Sequence, residues 1–256
     1  MIASLPMYDR PENAASHDAL WAGIRDALRT LGGEAPEALD RQIGIWDGWG
    51  HPELVLGQVC GLPYRLAFHD KVELVANFDY GLPETPPGFY RSHFVVRADD
   101  PRGSPEEFST QRLAYNEAKS HSGWGAPQLW AKARGFFFRP ELETGSHRAS
   151  ARAVASGQAD IAAIDTISWR GIERWEPEVA AKLKIVGQTD ATPGQALISA
   201  KGADADRTAK AVENGFAALP AQHRETLGIG NVVRIPKSAY LDVAIPPSPA
   251  EILAKS

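Results

Sequence analysis

The sequence predicts an α/β fold in two lobes, and three observations lead there. Apolar strand-like runs alternate with amphipathic helical segments along most of the chain, the pattern of a parallel sheet flanked by helices. The alternation comes as two series. Pro/Gly-rich, strand-bearing passages near residues 88–97 and 192–200 separate those series, as two hinge crossings between lobes would require. Lobe one is expected to hold 1–93 plus 197–256 and lobe two 94–196, each around a mainly parallel sheet flanked by helices. A ligand is expected between them, because open α/β sheets bind at the carboxyl ends of their strands.

Taken in order, "MIASLPMY" reads as a buried strand. "SHDALWAGIRDALRTLGG" reads as an amphipathic helix capped by Ser16, with Leu20, Trp21, Ile24, Ala27, Leu28 and Leu31 on one face and Gly32-Gly33 at its end. "RQIGIW" is expected to be a strand, "PELVLGQVCG" a short helix with Pro52 in its first turn, and "KVELVANF" a strand. "YRSHFVVR" is a β-branched strand. The second series runs strand "QRLAYN", helix "PQLWAKARG", helix "SHRASARAVASGQ", strand "ADIAAID", helix "ISWRGIERWEPEVAAKL" and strand "LKIVGQT". "ATPGQALISA" leads into another strand, "ADRTAKAVENGFAAL" is a helix, and "PPSPAEILAKS" is loosely specified.

Composition narrows the function classes. With 256 residues, 43% hydrophobic and 23% charged, the chain can bury a full core. A net charge of −5 and no Lys/Arg-rich run argue against nucleic acid as a partner. Any anion site must therefore be local. The single cysteine, Cys60, excludes an internal disulfide and a cysteine-only metal site. "GQVCGLPY" superficially resembles the caspase signature, but its flanks differ and Cys60 is expected to be a buried small hydrophobe. The seven histidines show no ligand spacing, so no metal is expected, and with no P-loop or dinucleotide fingerprint no cofactor is expected either. No apolar run is long enough for membrane insertion. The amino terminus lacks a signal-peptide pattern, so the chain as encoded is expected to be cytoplasmic, or periplasmic if a leader was removed.

Two stretches carry the chemistry. In "YNEAKSHSGWGAP", residues 115–127, a strand breaks into Lys, Ser, His, Ser and Gly before a helix. A helix start presents unpaired N–H groups and the positive end of the macrodipole. Ser120 or Ser122 either caps that helix or also donates to an anion. In "TGSHRASARAVASGQADIAAID", Gly145 and Ser146 make a tight turn and Ser146 caps a helix that begins at His147, while Asp165 ends the following strand. Asp165 is either a ligand contact or the cap of the helix near Ile167. Trp46, Trp49 and Trp124 lie beside turns, as pocket walls or as core.

Together "LPMYD", "QVCGLPY", "YRSHFVV", "YNEAKSHSGWGAP" and "TGSHRASARAVASGQADIAAID" resemble the phosphate/phosphite/phosphonate-binding family of ABC-importer solute receptors, in order and over nearly the whole chain. The resemblance implies the type II periplasmic-binding fold. It implies a solute-binding protein, not an enzyme, for a small phosphorus oxyanion, with an ABC-transporter permease as partner. It places Ser120, His121 and Ser122 in the hydroxyl-rich turn that binds oxyanion oxygens, with His121 standing where many relatives have Thr. It matches His147 to the histidine of the "GSH" turn, Tyr90 to a cleft tyrosine, Asp165 to a cleft-side acid, and Tyr8 to the end of the first strand near the site. Tyr64, Trp46 and Trp49 are further candidates for the lobe-one wall. The alternative is a leaderless cytoplasmic enzyme or sensor that reuses the same cleft for a small phosphorylated or heterocyclic metabolite, with His121 or His147 as acid/base.

Overall fold

The structure is a computed structural model that describes residues 1–254. Its strands are β1 (Ile2–Ser4), β2 (Leu54–Val59), β3 (Val72–Asp79), β4 (Phe89–Tyr90), β5 (Ser92–Arg97), β6 (Arg112–Tyr115), β7 (Arg139–Glu143), β8 (Ile161–Asp165), β9 (Leu183–Gln188), β10 (Thr192–Pro193), β11 (Ala196–Ala200) and β12 (Asn231–Val233). They fall into two compact units. The first is Met1–Phe89 with Pro193–Asp242, and the second is Tyr90–Thr192 with the carboxyl-terminal segment from Val243. β4 and β10 pair as a separate ribbon, and the chain passes between units within each of them.

The first unit is built on a sheet of order β1-β2-β11-β3-β12. Only β1 and β2 run parallel; β11 is antiparallel to β2 and β3, and β12 to β3. The helix Ala14–Thr30 buries Leu20, Trp21, Ile24 and Leu28 against Val75, Phe78 and Leu197 of the sheet. Its N-cap residue is Asn13, not Ser16. Ser16 lies one turn in, and its hydroxyl meets His223 Nδ1 at 3.0 Å.

The second unit has the order β7-β6-β8-β5-β9, with β6 parallel to β7 and β8, and β5 antiparallel to β8 and β9. Both sheets are therefore mixed, which corrects the mainly parallel expectation. β5 and β11 start within three residues of the ribbon strands β4 and β10, so no helical crossover forces them parallel to their neighbours.

Four local readings change. "PELVLGQVCG" is strand β2, not a helix, and Cys60 follows it, buried. A strand covered on both faces is continuously apolar, and periodicity cannot tell it from a buried helix. "RQIGIW" is no strand: the Asp40 carboxylate accepts the N–H groups of Gln42 and Ile43 at 2.8 and 3.0 Å, and a short helix, Ile45–Trp49, follows. The edge strand β7 contains Pro140 and is mostly polar, so it carries no apolar run. The tail belongs to the second unit, not to lobe one. Ile252 joins the core of Phe94, Phe108 and Trp124, and Trp124 Nε1 donates to the Pro247 carbonyl at 2.9 Å. Residues 90–93 likewise lie in the second unit and 193–196 in the first, and the chain crosses between units three times, the third after Asp242.

The helices Ala14–Thr30 and Ala205–Ala218 cross at two glycines. A Cβ on Gly215 would lie 2.5 Å from Ile24 N, and one on Gly23 would lie 3.0 Å from the Gly215 carbonyl oxygen. Backbone cannot yield as a side chain can. Gly215→Ala should therefore destabilise the protein by about 1–3 kcal/mol despite alanine's better helix propensity, read as a lower urea midpoint. Burial lowers the pKa of both His17 and His93 below the ordinary 6.5. The folded rings then stay neutral where the unfolded ones gain a proton. Stability should hold above about pH 6.5 and fall as the pH drops below it, which urea unfolding at pH 7.5 and 5.5 will test.

Candidate functional site

The second unit gathers most of the chemistry. After β6 the chain turns at Ser120, whose extended backbone and side chain make it the cap: Ser120 Oγ accepts the Gly123 N–H at 3.2 Å. The turn His121–Gly125 is then wound wide. Gly125 N–H reaches the Ser120 carbonyl at 3.0 Å, and Ala126 N–H reaches His121, each five residues back. Such π-type turns keep more early N–H groups outside the ladder than an α-turn does. Gly123 makes this possible, because a Cβ there would lie 2.0 Å from Asn116 Oδ1. Ser92 Oγ on β5 donates to the Ser122 carbonyl at 2.9 Å and holds the turn against the sheet. The regular helix Ala126–Lys132 continues from it.

A second helix start lies beside the first. Gly145 takes φ +82°, Ser146 Oγ accepts the Ala149 N–H at 3.1 Å, and His147 opens the helix His147–Ala155. The turn is tied to the end of β6 by Thr144 N–H to the Tyr115 carbonyl at 2.9 Å and Gly145 N–H to the Asn116 carbonyl at 2.8 Å. Arg148 and Arg152 of that helix converge on the buried carboxylate of Glu176, which fixes the helix in rotation.

Asp165 supplies the third piece. Buried at the end of β8, it caps the helix Thr166–Trp175, with Oδ1 accepting Ser168 N–H at 2.8 Å and Oδ2 the Ser168 hydroxyl at 2.7 Å. The cap reading of Asp165 is thus met. His147 joins the pieces: Nε2 is 2.8 Å from Ser122 Oγ and 3.1 Å from Asp165 Oδ2. A hydrolytic triad places serine and acid on opposite ring nitrogens, so that one can be deprotonated while the other orients. Here both meet the same nitrogen.

Of the residues expected at a site, Tyr90, Ser120, His121, Ser122, His147 and Asp165 lie in this unit. The His121 ring is buried and turned to Thr192, with Nε2 2.9 Å from Thr192 Oγ1, and its centroid is 6.3 Å from that of Tyr90. Tyr8 lies in the first unit, packed edge-on against Tyr80 at 5.4 Å. Trp46 and Trp49 cluster with Phe68 there, and Tyr64 packs on Tyr240, with burial pushing its phenol up to about 12. Trp124 is core, against Tyr115. Sequence reasoning did not single out Ser92, Asn116, Ser168 or Thr192. Each acts across the fold or as a local partner, and no spacing announces it.

Among the described residues, no group of three or more His, Cys, Asp or Glu side chains could hold a metal ion, and no helix is long and apolar enough to cross a membrane.

Comparison with solved structures places this fold among the type II periplasmic-binding proteins. PhnD1 from Prochlorococcus marinus (MIT 9301), solved in complex with methylphosphonate, matches with a TM-score of 0.72 at 17% identity, over 99% of this chain and 97% of that one. XAC2383 from Xanthomonas citri, solved bound to ATP, matches at 0.70 and 14%, over 99% and 97%. A binding protein component of an ABC phosphonate transporter from Pseudomonas aeruginosa matches at 0.67 and 19%, over 91% and 80%. No curated protein matches the chain by sequence. A family model does: that of the phosphonate periplasmic substrate-binding proteins of ABC transporters matches residues 54–238, and the chain belongs to this family.

The geometry of the first turn makes a prediction of its own. Gly123→Ala forces Asn116 or the turn to move and should cost about 1–3 kcal/mol, whereas Ser120→Ala removes only the cap and should cost about 1 kcal/mol. Urea unfolding of both variants will show whether Gly123 is the stricter requirement.

Proposed function

We propose that this chain captures a small phosphorus oxyanion, that Ser120 and Ser122 are its side-chain donors with His147 orienting the Ser122 hydroxyl, and that it delivers the ligand unchanged to an ABC-transporter permease in the periplasm. The observation that carries this reading is the pairing of two helix-start turns, at 120–125 and 145–147, on the end of one strand. Each turn offers early N–H groups and the positive end of a helix, which suits an anion. The hydroxyls and the imidazole lie within the same cluster, and hydrogen bonds to a charged oxygen are the strong kind. Tyr90 stands beside the turn. His121 enters through its backbone, since its ring is engaged with Thr192. Capture, not chemistry, is supported by the shared nitrogen of His147: Ser122 and Asp165 both meet Nε2, whereas a hydrolytic triad places serine and acid on opposite ring nitrogens. Methylphosphonate is the ligand of one structural relative, and it is the first compound to try here.

Titration calorimetry with methylphosphonate, aminoethylphosphonate, phosphite, phosphate and sulfate tests the reading. Saturable binding of a phosphorus oxyanion is expected, with the ligand recovered intact by ³¹P NMR. Ser122→Ala and His147→Ala should each weaken binding by about tenfold or more, the worth of a hydrogen bond to a charged group. Unchanged affinity in both variants would remove these residues from the site, and turnover of the ligand would favour an enzyme.

A further inference from the structure

We propose that Asp165 is a positioning residue: it holds a hydrogen on Nε2 of His147 and thereby leaves the Ser122 hydroxyl proton for the ligand. The inference rests on the oxyanion reading above and assigns Asp165 a part in that site other than contact. A carboxylate only accepts. Asp165 already takes the N–H and the O–H of Ser168, and its third partner is His147 Nε2, at 3.1 Å from Oδ2. A lone pair on that nitrogen would face a negative oxygen and be repelled. With a hydrogen there, the contact becomes a charge-assisted hydrogen bond.

The consequence falls on Ser122, whose Oγ is 2.8 Å from the same nitrogen. Two arrangements exist for that pair. If Nε2 were unprotonated, Ser122 would donate to it, and only oxygen lone pairs would remain to meet an anion. With Nε2–H fixed by Asp165, Ser122 Oγ accepts from the ring or shares its hydrogen with the carboxylate. Its own proton then points elsewhere and can serve a phosphoryl oxygen. A buried acid that would otherwise repel the ligand thus sets the tautomer that makes the cradle a donor surface.

The test reads the tautomer and the affinity separately. In the ligand-free wild-type protein, long-range ¹H–¹⁵N correlation should show His147 Nε2 as a hydrogen-bearing, pyrrole-type nitrogen. Asp165→Asn keeps an acceptor for the Ser168 N–H but turns an amide donor toward the ring. In this variant Nε2 should become pyridine-type, and oxyanion affinity should fall about tenfold. The double variant Asp165→Asn/Ser122→Ala should bind within about twofold of Ser122→Ala alone, because both changes remove the same donor. A pyridine-type Nε2 in the wild-type protein would overturn the proposal, as would losses that multiply in the double variant. If the wild-type protein binds none of the five oxyanions, the functional reading fails, and the wild-type spectrum alone decides the role of Asp165.

Discussion

Two main-chain hydrogen bonds, from Thr144 to Tyr115 and from Gly145 to Asn116, determine the geometry on which the candidate site depends. They hold the turn before His147 against the end of β6, from which the turn around Ser120 also departs. Two helix starts, separated in the sequence by a helix, a loop and a strand, become neighbours. The positive Gly145 φ lets the chain reverse there at no steric cost. Ser92 to the Ser122 carbonyl, and Arg148 and Arg152 to Glu176, then lock each side in place.

The buried polar groups of the second unit answer to one another. Ser120 satisfies Gly123, Ser122 meets His147, His147 meets Asp165, and Asp165 caps Ser168. Such a chain is worth keeping only if its members are satisfied, since a buried polar group without a partner costs more than a hydrogen bond returns. Ser120 and Asp165 in this chain each cap a helix start. Capping and binding are compatible because a serine that accepts a backbone N–H keeps its own proton.

His121 shows how a motif can be matched while its side chain does something else. In the sequence it stands between two serines, Ser120 and Ser122, in the turn before a helix. Its ring reaches Thr192, near the point where the chain leaves the second unit.

The sequence by itself determined the α/β alternation, most helices and strands and the Gly145–Ser146 turn, and it offered a helix cap as one of two roles for Asp165. These are local matters, set by periodicity and by residues that favour turns and caps. Tertiary structure alone decided the rest. Strand β2 could not be told from a helix because both its faces are covered, and the placement of β5 and β11 as antiparallel insertions depends on neighbours far along the chain. The tail's choice of unit came from Ile252 and Pro247 finding Trp124 and its core. The meeting of Ser122, His147 and Asp165 on a single ring nitrogen also belongs here. Spacing along a chain records what a residue can do, while which atom it meets depends on how distant segments pack.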